Sequence, residues 1–240
     1  MTVVAIRRRP GPEWITLASI GAAWAVWWLA QLSTELATRI LGVAAMAVGM
    51  MLPLALPAAR HVAQNTLRRR RLEAVLTFLG AFVSIWVLVS LGAALLASAV
   101  GWLLPVAPAP LILATIAAVV WHWTPWRRRA LRACARSRPL PPDGWPAREA
   151  CLAFGTSVGG RCAVSCWPAM LLVMRAGSWH LLVALPVTVV LLAERSIPTV
   201  RRSRWIVPAS ITAIGTMAVM LGPGATGPSV IARLCRIPRP

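Results

Sequence analysis

Residues 74–101 read AVLTFLGAFVSIWVLVSLGAALLASAVG, without a charged side chain. A hydrocarbon core about 30 Å thick needs roughly 20 apolar residues of helix to cross it, because lipid offers no partner for backbone N–H and C=O groups. This run is longer than that, and others like it follow and precede it. The sequence therefore predicts an all-α, polytopic transmembrane helical bundle of about seven spans, forming one integral membrane domain over 1–240. The spans fall at about 14–32, 37–59, 74–101, 107–124, 151–174, 178–194 and 205–222.

Composition and charge agree with that class. The chain is 58% hydrophobic and only 13% charged, whereas a soluble domain is nearer a quarter charged. Its net charge of +19 comes from arginine without lysine. In a soluble chain that excess would suggest nucleic acid. Here the arginines sit at the ends of apolar runs, which the positive-inside rule explains and which excludes nucleic acid as a partner. Arg7–Arg9, Arg60 with Arg68–Arg71, the stretch 126–150 with seven arginines from Arg127 to Arg148, and Arg195 with Arg201, Arg202 and Arg204 alternate with loops holding only Glu35, Arg39 or Arg175. This predicts a cytoplasmic N-terminus, a basic cytoplasmic loop at 126–150 and an inner-membrane location, with the lipid bilayer as the first partner. Arg233, Arg236 and Arg239 run against the alternation. The first apolar run is long and Trp-rich, so it reads as an uncleaved span. Five cysteines, an odd number, do not make a disulfide scaffold.

The fifth span carries the chemistry. Cys162, Cys166, Met170 and Met174 recur every fourth residue, so on a helix they form a slowly winding stripe. Thiolate and thioether sulfurs are the ligands that select Cu(I) and other soft metals. The second span offers Met46 and Met50 at comparable depth, and Pro53 and Pro168 each remove a helix hydrogen bond. The same residues have a plainer use, since Met fills gaps in cores and small residues let membrane helices approach closely. Arg161 falls within the fifth span, where a charge faces a cavity or a partner. Gly155, Gly159 and Gly160 would also suit an irregular or re-entrant segment there. His122 stands among Trp121, Trp123 and Trp126 and suits an interfacial aromatic belt.

Several stretches resemble a bacterial family of predicted metal-binding integral membrane proteins without an assigned biochemical function. Met46 to Pro57 is similar to its Ala-Met-Met-Leu-Pro segment. Trp121-His122-Trp123-Thr124-Pro125-Trp126-Arg127 resembles its Tyr-Gln-Leu-Thr-Pro-Leu-Lys run, and Cys134 matches a Cys that follows in family members. Cys162 to Met170 is similar to Cys-Leu-Gly-Cys-Cys-Trp-Ala-Leu-Met, and Glu194-Arg195 resembles a Glu-Lys pair. The likeness covers roughly residues 40–198. It departs at Ala130 and Ser165, where the family has Cys, and at Pro168, where it has Ala. The resemblance implies metal binding, with two potential thiol ligands absent from this chain.

Together these readings predict soft-metal, copper-like binding or handling in the bilayer. The expected ligands are Cys162, Cys166, Met170, Met46 and Met50, the expected cofactor or cargo is copper or another soft metal ion, and Arg161, His122 and Cys134 are further candidates. A membrane or periplasmic protein is the expected partner. Two alternatives are a structural or assembly subunit, in which the stripe serves packing alone, and a small-solute transporter with Arg161 in its pocket. An enzyme is not expected. The six acids form no pair within a span, and there is no Gly-rich phosphate loop, Gly-x-Ser-x-Gly elbow or base beside either cysteine.

Overall fold

The computed structural model describes residues 13–31, 35–103, 108–134, 139–141, 143–176, 179–197, 199–200 and 203–221. The arginines at 7–9, 136, 138, 201, 202, 233, 236 and 239 lie outside these residues. The described chain is all-α, without a strand. Its helices are α1 (Glu13–Gln31), α2 (Leu36–Gln64), α3 (Arg71–Leu103), α4 (Ala109–His122), α5 (Pro125–Cys134), α6 (Gly144–Arg175), α7 (His180–Ser196) and α8 (Ile206–Met220). Among the described residues, 40–64, 68–100 and 144–175 are each long and apolar enough to cross a membrane. Helices α4 and α5, bent by 69° at their break, make a fourth if taken as one span. Helices α1 and α8 are apolar but shorter.

Helix α3 shows why such segments need more than water around them. Phe78, Phe82 and Trp86 are buried, while Leu76, Leu88, Leu95 and Leu96 are exposed. On α7, Leu182, Leu185 and Val189 are exposed as well. Large apolar side chains exposed in this number are unfavourable in water and suit hydrocarbon.

Close contacts set the helix directions. Helix α6 runs parallel to α3, because Gly155 lies against Phe78 and Ala81 while Gly159 lies against Ile85. Helix α2 runs opposite to α6: His61 packs on Phe154 at 5.8 Å near one end, and Leu54 and Cys162 share a partner further along. Helix α1 returns along α2, with Ala30 beside Gly42 and Trp24 beside Gly49.

The start of α6 is tied to the start of α3. Asp143 accepts from the backbone N–H of Gly144 at 2.8 Å and from Arg70 at 2.7 Å, and its other oxygen accepts from Arg69 at 3.2 Å. The hydrogen bond from Arg70 holds the Asp143 carboxyl below its usual range. The resulting stabilisation is present above the unfolded-chain value and is lost as pH falls through the lowered folded one. Gly144 has φ +82°, a conformation that favours glycine.

Helix α6 is continuous through Gly155, Gly159 and Gly160, so the irregular segment that the glycines allowed does not form. Gly155 and Gly159 serve contact instead. A Cβ on Gly155 would lie 2.5 Å from the Phe78 carbonyl oxygen and 2.8 Å from the Ala81 Cβ, whereas one on Gly160 meets nothing within 4 Å. Gly155→Ala is expected to destabilise the bundle by about 1–3 kcal/mol through overpacking against backbone. Gly160→Ala is expected to leave stability unchanged or slightly raised. Thermal melts in detergent, followed by circular dichroism, compare the two; equal midpoints would disprove the contact argument.

Candidate soft-metal site

The site begins at a proline. Pro168 has no N–H, so the carbonyl of Val164, four residues earlier in α6, loses its helical donor. The indole Nε1 of Trp121 on α4 donates to that carbonyl at 2.8 Å, and the Trp121 ring meets Trp167 edge-on at 5.4 Å. The next carbonyl, of Ser165, accepts from Arg127 Nε at 3.1 Å. Both donors come from one short segment, because Thr124 and Pro125 end α4 and begin α5. The Thr124 hydroxyl accepts from the Arg127 backbone N–H at 3.4 Å, and Pro125 occupies the first helical position, where a missing N–H costs nothing.

The bend turns Arg127 inward. Its guanidinium binds the carboxylate of Glu194 on α7 through both terminal nitrogens, one contact being 2.8 Å, and both residues are only 4% exposed. Such a fork-to-fork pair satisfies both ions out of water. His122, at the end of α4, is also buried, with Nδ1 at 3.9 Å from Glu194 and no hydrogen-bond partner among the described residues. The bend at 123–125 brings its ring into the bundle, beside the ion pair.

Arg195, the next residue on α7, reaches the sulfurs. Its Nη2 donates to Cys162 Sγ at 3.1 Å and to Ser165 Oγ at 3.4 Å, while Nη1 reaches the Leu54 carbonyl on α2 at 3.5 Å. Ser165 Oγ lies 3.3 Å from Cys166 Sγ and donates to the Cys162 carbonyl at 2.8 Å. Cys162 and Cys166 lie one helical turn apart on α6, with the Ser165 hydroxyl against the second, and are buried to 0% and 1% exposure. Cys134, at the end of α5, is partly exposed. All the cysteines of the described residues are free thiols.

The other candidates take different places. Met46, Met50 and Met170 are buried in the same core. Met50 precedes Leu54 by one turn on α2 and Met170 follows Cys166 by one turn on α6. Because the two helices run in opposite directions, Met50 is displaced from Leu54, and Met170 from Cys166, toward the same end of the bundle. Arg161 donates to the Ala133 carbonyl at 2.9 Å. That carbonyl is in the last turn of α5, where helical donors run out, so Arg161 holds α5 rather than facing the thiols. Among the described residues no three His, Cys, Asp or Glu side chains are grouped to hold a metal. The sulfur pair is a two-thiol arrangement.

Arg127, Glu194, Arg195 and Ser165 were not among the expected site residues. Arg127 and Arg195 read as loop charges, although Thr124-Pro125 is a helix-start signal that would have placed Arg127 on the first turn of a new helix.

Two buried thiols, with thioethers further along α2 and α6, are soft donors of the kind that Cu(I) prefers. Residues 40–220 match the model of the PpoB2 copper chaperone family, and the chain belongs to that family. No curated protein matches the chain, and no solved structure does.

Removing one partner of the Arg127–Glu194 pair leaves a buried unpaired charge, so Arg127→Met or Glu194→Leu is expected to destabilise the bundle by about 3–5 kcal/mol. The double change Arg127→Met/Glu194→Leu is expected to cost less than either alone. Melts of the three variants test this; additive losses would refute the pairing.

Proposed function

We propose that this chain carries Cu(I) inside the membrane, held by the thiolates of Cys162 and Cys166. The observation that supports this most is the complete burial of two neighbouring thiols beside a permanent cation. Thiolates prefer soft monovalent copper, which is satisfied by two or three donors. A metal-bound thiol is deprotonated, and the Arg195 guanidinium supplies the counter-charge that an anionic sulfur needs away from water.

Packing alone accounts poorly for this region. A stripe of small residues needs no ions, yet Arg127, Glu194 and Arg195 all turn toward it, and each is costly to desolvate. The copper chaperone family supports copper as cargo rather than as a resident catalyst. Met50 and Met170, with Met46 one turn beyond Met50, offer thioethers through which the ion passes between the thiol layer and one face of the bundle. Cys134, partly exposed on the basic helix α5, faces the other side. In this reading a protein partner delivers or receives the ion at one end, and the apolar exterior of α3 and α7 lies in lipid.

Purified in detergent under reducing conditions and offered Cu(I), the protein is expected to bind about one ion per chain with an affinity that survives a competing chelator. Cys162→Ser/Cys166→Ser is expected to lose that ion while keeping its circular dichroism spectrum. Equal copper in the two folded proteins would overturn the assignment. Met50→Leu/Met170→Leu is expected to retain bound Cu(I) but to slow its transfer to an external chelator; an unchanged transfer rate would remove the thioethers from the route.

A further inference from the structure

Arg195 is an expensive residue where it stands. Its guanidinium cannot be deprotonated in a protein. Its contacts are a thiol sulfur, a serine hydroxyl and a backbone carbonyl, and none of these carries a fixed negative charge. The nearest carboxylate, Glu194, is already engaged by both terminal nitrogens of Arg127. Arg161 is turned to the end of α5. Without cargo, the thiol layer therefore carries one positive charge that no neighbouring acid matches.

Two thiolates and one monovalent cation carry a net negative charge of one, which Arg195 cancels. Two thiolates and a divalent cation are neutral, and Arg195 then leaves the buried layer positive. Building on the Cu(I) reading above, we infer that Arg195 is the specificity residue of this site: its fixed charge makes a monovalent soft ion the neutral occupant and rejects divalent zinc and cadmium. Ser165 completes the device. It stands beside Cys166 and Arg195, and a third thiolate there would shift the neutral state to a divalent ion.

Cu(I) affinity, measured by competition with a chromogenic Cu(I) chelator, and Cd(II) affinity, measured from thiolate charge-transfer absorption, give the preference of each purified variant. Arg195→Gln is expected to reduce the Cu(I)-over-Cd(II) preference on the order of 10- to 100-fold, the scale of one close charge at intermediate dielectric. Arg195→Lys, which keeps the charge and loses the fork, is expected to stay within several-fold of the parent. Ser165→Cys is expected to tighten Cd(II) at least about tenfold relative to Cu(I), by the same charge argument. An unchanged preference in a folded Arg195→Gln protein, or an equal loss in Arg195→Lys, overturns the inference while leaving Cu(I) carriage intact. If Arg195→Gln does not fold, an unchanged preference in Ser165→Cys overturns it. A parent protein that binds no Cu(I) overturns both the carriage and the inference.

Discussion

The ion pair between Arg127 and Glu194 is the constraint on which the rest of this bundle depends. It is buried from water on both sides. Buried ions are tolerated only when each lone pair and each N–H is used, and here the surroundings are arranged to use them. The spare Nε of Arg127 goes to Ser165, which fixes α5 against α6. The carboxylate fixes α7 against both. With Glu194 held, the next side chain along α7 is aimed across α6 toward α2, and that side chain is Arg195.

The prolines divide the work with the ions. Pro168 opens a carbonyl on α6 that Trp121 fills, so α4 is attached to α6 at the place where the α6 ladder is interrupted. Pro125 starts α5 immediately after α4 and bends the path by 69°. Without that turn Arg127 would continue along the axis of α4, away from Glu194. Small residues then let the long helices close on one another, Gly155 against the Phe78 backbone above all. The polar cluster, the broken ladder and the close helix contact are thus one arrangement rather than three.

Much of this is legible in the amino-acid sequence itself. The uncharged run at 74–101 and its counterparts specify helices with apolar exteriors, because period and length are local properties. Cys162 and Cys166 four residues apart must share a helix face, and they do. What the sequence could not convey was which arginines turn inward. Charge alternation counts Arg127, Arg195 and Arg128 alike, since it registers loop composition and not direction. Arg161 drew attention because of its position within an apolar segment, yet its partner is a helix-end carbonyl at Ala133, a group without any signature of its own. His122 among tryptophans suggested an interface, but the bend two residues later decides its environment. The resemblance of separated motifs was the strongest hint that they meet, because Trp121–Arg127, Cys162–Cys166 and Glu194-Arg195 make sense together only in three dimensions.

The chain order of the ion pair has a consequence for biogenesis. Arg127 is synthesised 67 residues ahead of the carboxylate that neutralises it. During that interval its charge has no partner on α7 and must stay where water or phosphate can solvate it. Helix α5 therefore cannot settle into the bundle until α7 has emerged. The two thiols of α6 are made before their guanidinium neighbour for the same reason. Closure of the sulfur pocket consequently waits for the arrival of two adjacent residues, Glu194 and Arg195, and a polypeptide that stops short of them has no means of burying Arg127.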